Sequence, residues 1–207
     1  MKSSNLIRWS GLAALVGGVL LVVFEVLNAV FFPGEQSGEI MTTSAWFIVQ
    51  ILSLLGLVFI ILGLVGLYAR QAEQAGSLGL VAFVVAFGGT FMLFGLLWGE
   101  PFLGPMLAEE APEVLELEPS GLLAAGAILT LVLFALGWLL FGWASLRAGV
   151  LPRGAGLLLM VGALFFFVLT LLELPLSTVV LALALAWAGY ALWAGDAGRS
   201  SIPEVAM

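Results

Sequence analysis

Residues 154–193 read GAGLLLMVGALFFFVLTLLELPLSTVVLALALAWAGYALW, 40 positions with one charged group, Glu173. A membrane span takes about 20 apolar residues, because each helical residue rises about 1.5 Å through a hydrocarbon core about 30 Å thick. The stretch is too long for one span and long enough for two. Pro175, which cannot donate a helical hydrogen bond, and Glu173 mark the turn between them. The division decides the fold, because it makes the number of spans even.

Working outward, four more apolar segments meet the same length requirement. The predicted spans are roughly residues 9–32, 44–69, 77–98, 121–145, 154–172 and 176–193. The composition agrees: 63% of the 207 residues are hydrophobic and 9% charged, against roughly a quarter charged in soluble domains. The expected fold is all-α, a polytopic membrane protein with six transmembrane helices forming one domain over residues 1–207. The first segment follows Lys2 and Arg8 as a signal peptide would, but it exceeds the length of an h-region and lacks a small-x-small cleavage pattern. It reads as a retained helix.

Six spans put every basic residue on one side. Lys2 and Arg8 precede the first span, Arg70 follows the second, Arg147 and Arg153 lie between the fourth and fifth, and Arg199 follows the sixth. The positive-inside rule then places both termini in the cytoplasm. Glu35, Glu39, Glu100, Glu109, Glu110, Glu113, Glu116, Glu118 and Glu173 fall outside. The longest outer loop, residues 100–120, holds six glutamates and no basic residue. It lacks the Asp/Asn/Gly alternation of a calcium loop and reads as a solvated acidic face, with a short helical turn between Pro112 and Pro119.

Absent residue types exclude several chemistries. The chain has no cysteine and no histidine, which removes disulfides, thiolate catalysis and imidazole metal or haem sites. No GxSxG, P-loop or helical lysine offers another active centre. The expectation is a protein that is not an enzyme and carries no cofactor or bound metal. Its surroundings are the lipid bilayer and no nucleic acid, and its glycine-rich faces leave room for a homo-oligomer or a partner subunit.

One polar locus interrupts the apolar pattern. In VVFEVLNAVFF, residues 22–32, Glu25 and Asn28 lie three positions apart on one helix face, in the outer half of the first span. No lysine or arginine is available at that depth, so Glu25 is expected to be neutral, paired or hydrated within the bundle rather than facing lipid. Trp46, Gln50 and Ser53 form a stripe that descends to the same depth on the second span, while Trp98, Glu100 and Glu173 stand at outer helix ends. These residues predict an outward-facing site for a small cation or an amphiphilic molecule. Transport there would have Glu25 exchanging a proton for the substrate, Asn28 and Gln50 orienting it, and Trp46 and Trp98 bounding it. The alternative is a non-transporting structural or accessory subunit. In that reading the amides bond across helices, the tryptophans anchor the interface, and protein partners or lipids cover the glycine-rich faces.

Two cytoplasmic turns, LYARQAEQAGSLGL and SLRAGVLPRGAGL, share an arginine after the descending helix and a Gly-Leu at the start of the next. Hairpin duplication and chance both account for that in a chain so rich in Leu, Ala and Gly. At Arg147, Gly149, Leu151-Pro152-Arg153 and Gly156, within residues 146–164, the chain resembles uncharacterised bacterial and archaeal families of six-helix membrane proteins classed as domains of unknown function. That resemblance covers about a tenth of the chain. It implies the six-helix topology and no activity; the expected location is a prokaryotic cytoplasmic (inner) membrane.

Overall fold

The computed structural model describes residues 3–34, 38–115, 117 and 120–199. Lys2, Glu35, Glu116 and Glu118, assigned to loops above, lie outside them. The described residues are all-helical: α1 Ser3–Phe31, α2 Gly38–Met41, α3 Ser44–Phe102, α4 Gly104–Glu110, α5 Pro112–Leu115, α6 Gly121–Ala148, α7 Arg153–Leu171 and α8 Val179–Arg199. Four of these, α1, α3, α6 and α7, are long and apolar enough to cross a membrane. Within α8 the apolar portion, Val179–Gly195, is shorter.

The 59 residues of α3 would extend about 90 Å if straight. Instead Gly76, at φ 57° and ψ −146°, breaks the helix, a conformation that a Cβ would penalise. The arms on either side, residues 44–75 and 77–102, fold back on each other. Near the break Tyr68 stacks on Phe83 with ring centroids 4.5 Å apart; at the open end Trp46 Nε1 donates to the Glu100 carbonyl at 3.3 Å. The sequence suggested a loop after Ala69, but Arg70-Gln71-Ala72-Glu73-Gln74-Ala75 are good helix formers and carry the first arm on to the break.

Successive rods pack side by side, and α8 returns to α1, so the rods form a closed ring. Glycine brings the backbones close at five junctions: Gly63 faces Ala14, Gly137 faces Ala86, Gly142 faces Gly156, Gly162 faces Leu181, and Gly189 faces Gly11. Between lipid-covered helices dispersion contacts of this kind replace the hydrophobic effect as the cause of association. The ring is filled by Leu64, Trp138, Phe141, Leu159 and Leu185, all essentially without exposure. Thr90 bonds back to the Ala86 carbonyl at 2.7 Å and also accepts from Trp138 Nε1 at 3.2 Å, joining the second arm of α3 to α6.

The two ends of the ring differ. At one end Arg8 lies over Trp193 and Arg147 over Trp143, while Arg70 shares a cleft of 380 Å³ with Val150, Leu151, Pro152 and Leu192. At the other end the first turns of α6 are exposed. Leu122 is 93% exposed and Leu123 66%, and nothing lies within 4 Å of a Cβ placed at Gly95 or Gly126.

The glycine junctions and the open end respond differently to added volume. Gly162→Val puts its Cβ 2.5 Å from the Leu181 backbone and is expected to destabilise the fold by about 1–3 kcal/mol. Gly95→Val, pointing into open space, is expected to be neutral or to stabilise by a few tenths of a kcal/mol, since valine has the better helix propensity. Unfolding of the purified variants in mild detergent measures both, and equal losses would contradict this packing.

Candidate functional site

α8 starts low in the ring. Its N-terminal end at Thr178 and Val179 stands beside Glu25, which lies six residues before the end of α1, or about 9 Å below it. A helix that starts at that depth in an apolar surrounding needs partners for its free N–H groups, because lipid offers none. Glu25 supplies one. Its Oε1 accepts from the Thr178 backbone N–H at 3.0 Å, from the Thr178 hydroxyl at 2.5 Å and, more weakly, from the Ser177 hydroxyl at 3.5 Å. Thr178 holds the N-cap position, since its own carbonyl accepts from Ala182 N–H at 2.8 Å. A carboxyl group from another helix thus takes the part that the N3 glutamate plays in a capping box, accepting from the N-cap N–H, at the end of the helix dipole that favours negative charge.

The connection that carries the chain down to this point is strained. Glu173 has φ 54° and Leu176 φ 65°, left-handed conformations costing roughly 1–2 kcal/mol each for residues with a Cβ. Glu173 N–H donates to the Thr170 carbonyl at 3.1 Å and Leu174 N–H to the Leu169 carbonyl at 2.8 Å, which ties the turn to the end of α7.

Because α7 and α8 stop short of the rim, a cavity of 740 Å³ opens above them, inside the ring. α1 contributes Glu25, Asn28 and Ala29 to its wall, the second arm of α3 contributes Leu93, Leu96 and Leu97, and α6 and α7 contribute Leu131, Phe166 and Thr170. Pro33, Gly34, Glu173, Leu174 and Pro175 form the exposed rim. Beneath it a void of 30 Å³ shares Phe24, Leu93, Leu97 and Thr178 with the cavity and reaches Ser53 and Leu57. Glu25 is 7% exposed, and its Oε2 has no protein hydrogen bond among the described residues, although it is not sealed from the cavity. Asn28 Oδ1 and Thr170 Oγ1 are covered and unpartnered.

Of the seven residues singled out from sequence, Glu25, Asn28 and Glu173 share this cavity. The other four lie apart from it. Trp46 is fully buried in the corner between α1 and the first arm of α3, edge-on to Phe32 at 5.3 Å. Gln50 is buried one turn further along that arm. Trp98 is 45% exposed and stacks on Phe102 at 4.9 Å. Glu100 offers its backbone carbonyl to Trp46. The stripe reaches the right depth, but the cavity opens where helices are short, over α7 and α8, and not beside the first arm. Thr170, Ser177 and Thr178 were missed; the Ser-Thr pair ahead of an apolar run is an N-cap signal that points to the last two.

Among the described residues no group of His, Cys, Asp or Glu is placed to hold a metal ion. Fold and site together define an all-helical protein with several apolar helices suited to a membrane and one buried carboxyl at a cavity wall. Comparison with protein-family models, with curated proteins and with solved structures gives no match.

The cap contact has a measurable signature. Glu25→Ala strips the Thr178 N–H and hydroxyl of their acceptor and is expected to cost about 1–3 kcal/mol of stability. Glu25→Gln keeps an acceptor oxygen and is expected to cost less. A double-mutant cycle with Thr178→Ala, which keeps the backbone N–H, measures the coupling through the hydroxyl, and fully additive losses would show that the hydroxyl does not bond to Glu25.

Proposed function

We propose that this protein crosses the membrane six times with both termini in the cytoplasm. We propose further that the cavity beside Glu25 faces outward and binds a small cation or an amphiphilic molecule. The count of six takes each arm of α3 as one span and α8 as a short one. Clustering of Arg8, Arg70 and Arg147 at the opposite end from the cavity, Arg8 and Arg147 over tryptophans, supports the orientation.

The observation that carries the binding reading is the division of labour on Glu25. One oxygen holds α8 in place, and the other has no protein hydrogen bond among the described residues at the wall of a cavity large enough for a ligand. A cation or a donor group meeting Oε2 would find the carboxyl already positioned, with no ordering left to do. Below the site the packed layer of Trp138, Phe141 and Leu159 closes the inner side, as an outward-open state requires. Transport would need that layer to open. The accessory-subunit reading draws on a different observation, the bare helix faces at Gly95 and Gly126, where a partner helix would fit closely. A purified chain that is monodisperse alone and binds ligand would count against it.

The absence of native cysteine makes the topology and the cavity testable with single cysteines. Ala29→Cys at the cavity wall is expected to react with a membrane-impermeant maleimide added outside, and Val150→Cys on the α6–α7 turn to react only after permeabilisation. Val150→Cys labelled from outside would reject the orientation. Ala29→Cys unreactive in intact cells and reactive after denaturation would reject the outward-facing site.

A further inference from the structure

Resting on the outward-facing site just proposed, we infer that its ligand is a double cation, two ammonium groups joined by an alkyl chain, with one end at Glu25 and the other at Glu173. The charges are assigned from the lining. Among the described residues, Glu25 and Glu173 are the only charged ones that line the cavity, and both are acidic. A recess lined by one sign of charge concentrates the opposite sign. Glu25 is the deep member: it is 7% exposed, its Oε1 is committed to Thr178, and its Oε2 has no protein hydrogen bond among the described residues. Glu173 is the outer member, exposed at the rim. The connection between α7 and α8 tethers the two. Glu25 accepts from the N–H of Thr178, five residues beyond Glu173, and five residues of extended chain span at most about 18 Å.

Backbone geometry does not account for a glutamate at position 173. Its φ of 54° is one that glycine or asparagine adopts more readily, and its backbone N–H, not its carboxylate, ties the turn to the Thr170 carbonyl at 3.1 Å. The carboxylate is left to the mouth of the cavity. A compact divalent ion is a poorer match for the pair. Calcium takes about six to eight oxygen ligands, and no group of three or more acidic residues is placed to hold a metal among the described residues. The rest of the wall assigns the spacer. Leu93, Leu97, Leu131 and Phe166 make much of it apolar, and an alkyl chain gains dispersion contacts there that a hydrated inorganic ion does not.

The test uses the single cysteine of Ala29→Cys, at the cavity wall, and asks which ligand protects it from the impermeant maleimide. The probes are 1,8-diaminooctane and 8-amino-1-octanol, which share one ammonium and the spacer and differ in having a second ammonium or a hydroxyl. The diamine is expected to protect at a concentration about two- to fivefold lower, the size of effect an exposed carboxylate supplies, and the difference should narrow as salt is raised. Adding Glu173→Gln, which leaves the Glu25 contact to α8 intact, should bring the two probes to equal concentrations. Adding Glu25→Gln should weaken both. Equal protection by the two probes without Glu173→Gln would overturn the double cation, and a difference that survives Glu173→Gln would overturn the role of Glu173. No protection by either, in a protein whose Ala29→Cys is labelled from outside, would overturn the ligand class and leave the outward-facing site standing. Failure of that labelling would remove the site itself.

Discussion

The arrangement of the molecule depends on how one helix begins. A helix that starts inside an apolar environment leaves N–H groups that neither lipid nor aliphatic side chains can satisfy. α8 starts at such a place because Glu25 of α1 accepts from the Thr178 N–H and hydroxyl. That contact settles two problems together. The carboxyl, with no side-chain cation at its depth, acquires donors and the positive end of a helix, and the helix acquires a cap. It also fixes α8 against α1, the junction at which the ring closes.

Cavity and cap are consequences of the same length mismatch. α1 and α6 have 29 and 28 residues, α7 and α8 only 19 and 21. Rods of unequal length packed with their basic ends together leave a recess at the other end, and the recess lies over the short pair. The glycine junctions keep the middle of the ring too tight for a continuous channel, so the cavity beside Glu25 is confined to the end opposite Arg8 and Arg147. Strain in the α7–α8 turn, at Glu173 and Leu176, is the local cost of bringing the chain down to the level of Glu25.

Much of this was legible in the sequence, and what was not has a physical reason. Apolar segment lengths, the break at Glu173 to Pro175, and the shared face of Glu25 and Asn28 are local properties that a helical period exposes. The rotation of each rod is not local. Helices that are apolar all round carry little periodic signal to say which face meets which neighbour, so the Trp46 and Gln50 stripe could be placed at the depth of Glu25 but not on the correct wall. The partner of Glu25 was hidden for another reason. It is chiefly a backbone N–H, which almost every residue possesses, and only the low start of α8 makes that particular one available. A search for a complementary charged side chain could not have found it.

The void under the site bears on what the site can admit. At 30 Å³ it has room for about one water, which would require two to four polar partners to be stable there. Its walls are Leu21, Phe24, Leu57, Ile60 and similar residues, and its two hydroxyls are already committed, Ser53 to the Gln50 carbonyl and Thr178 to Glu25. Such a space stays dry. A hydrated ion at Glu25 would therefore have no polar path further inward, whereas an alkyl chain would gain dispersion contacts by filling the void. The carboxyl sits at the boundary between a cavity that can hold a polar head and a core that can accept only apolar atoms.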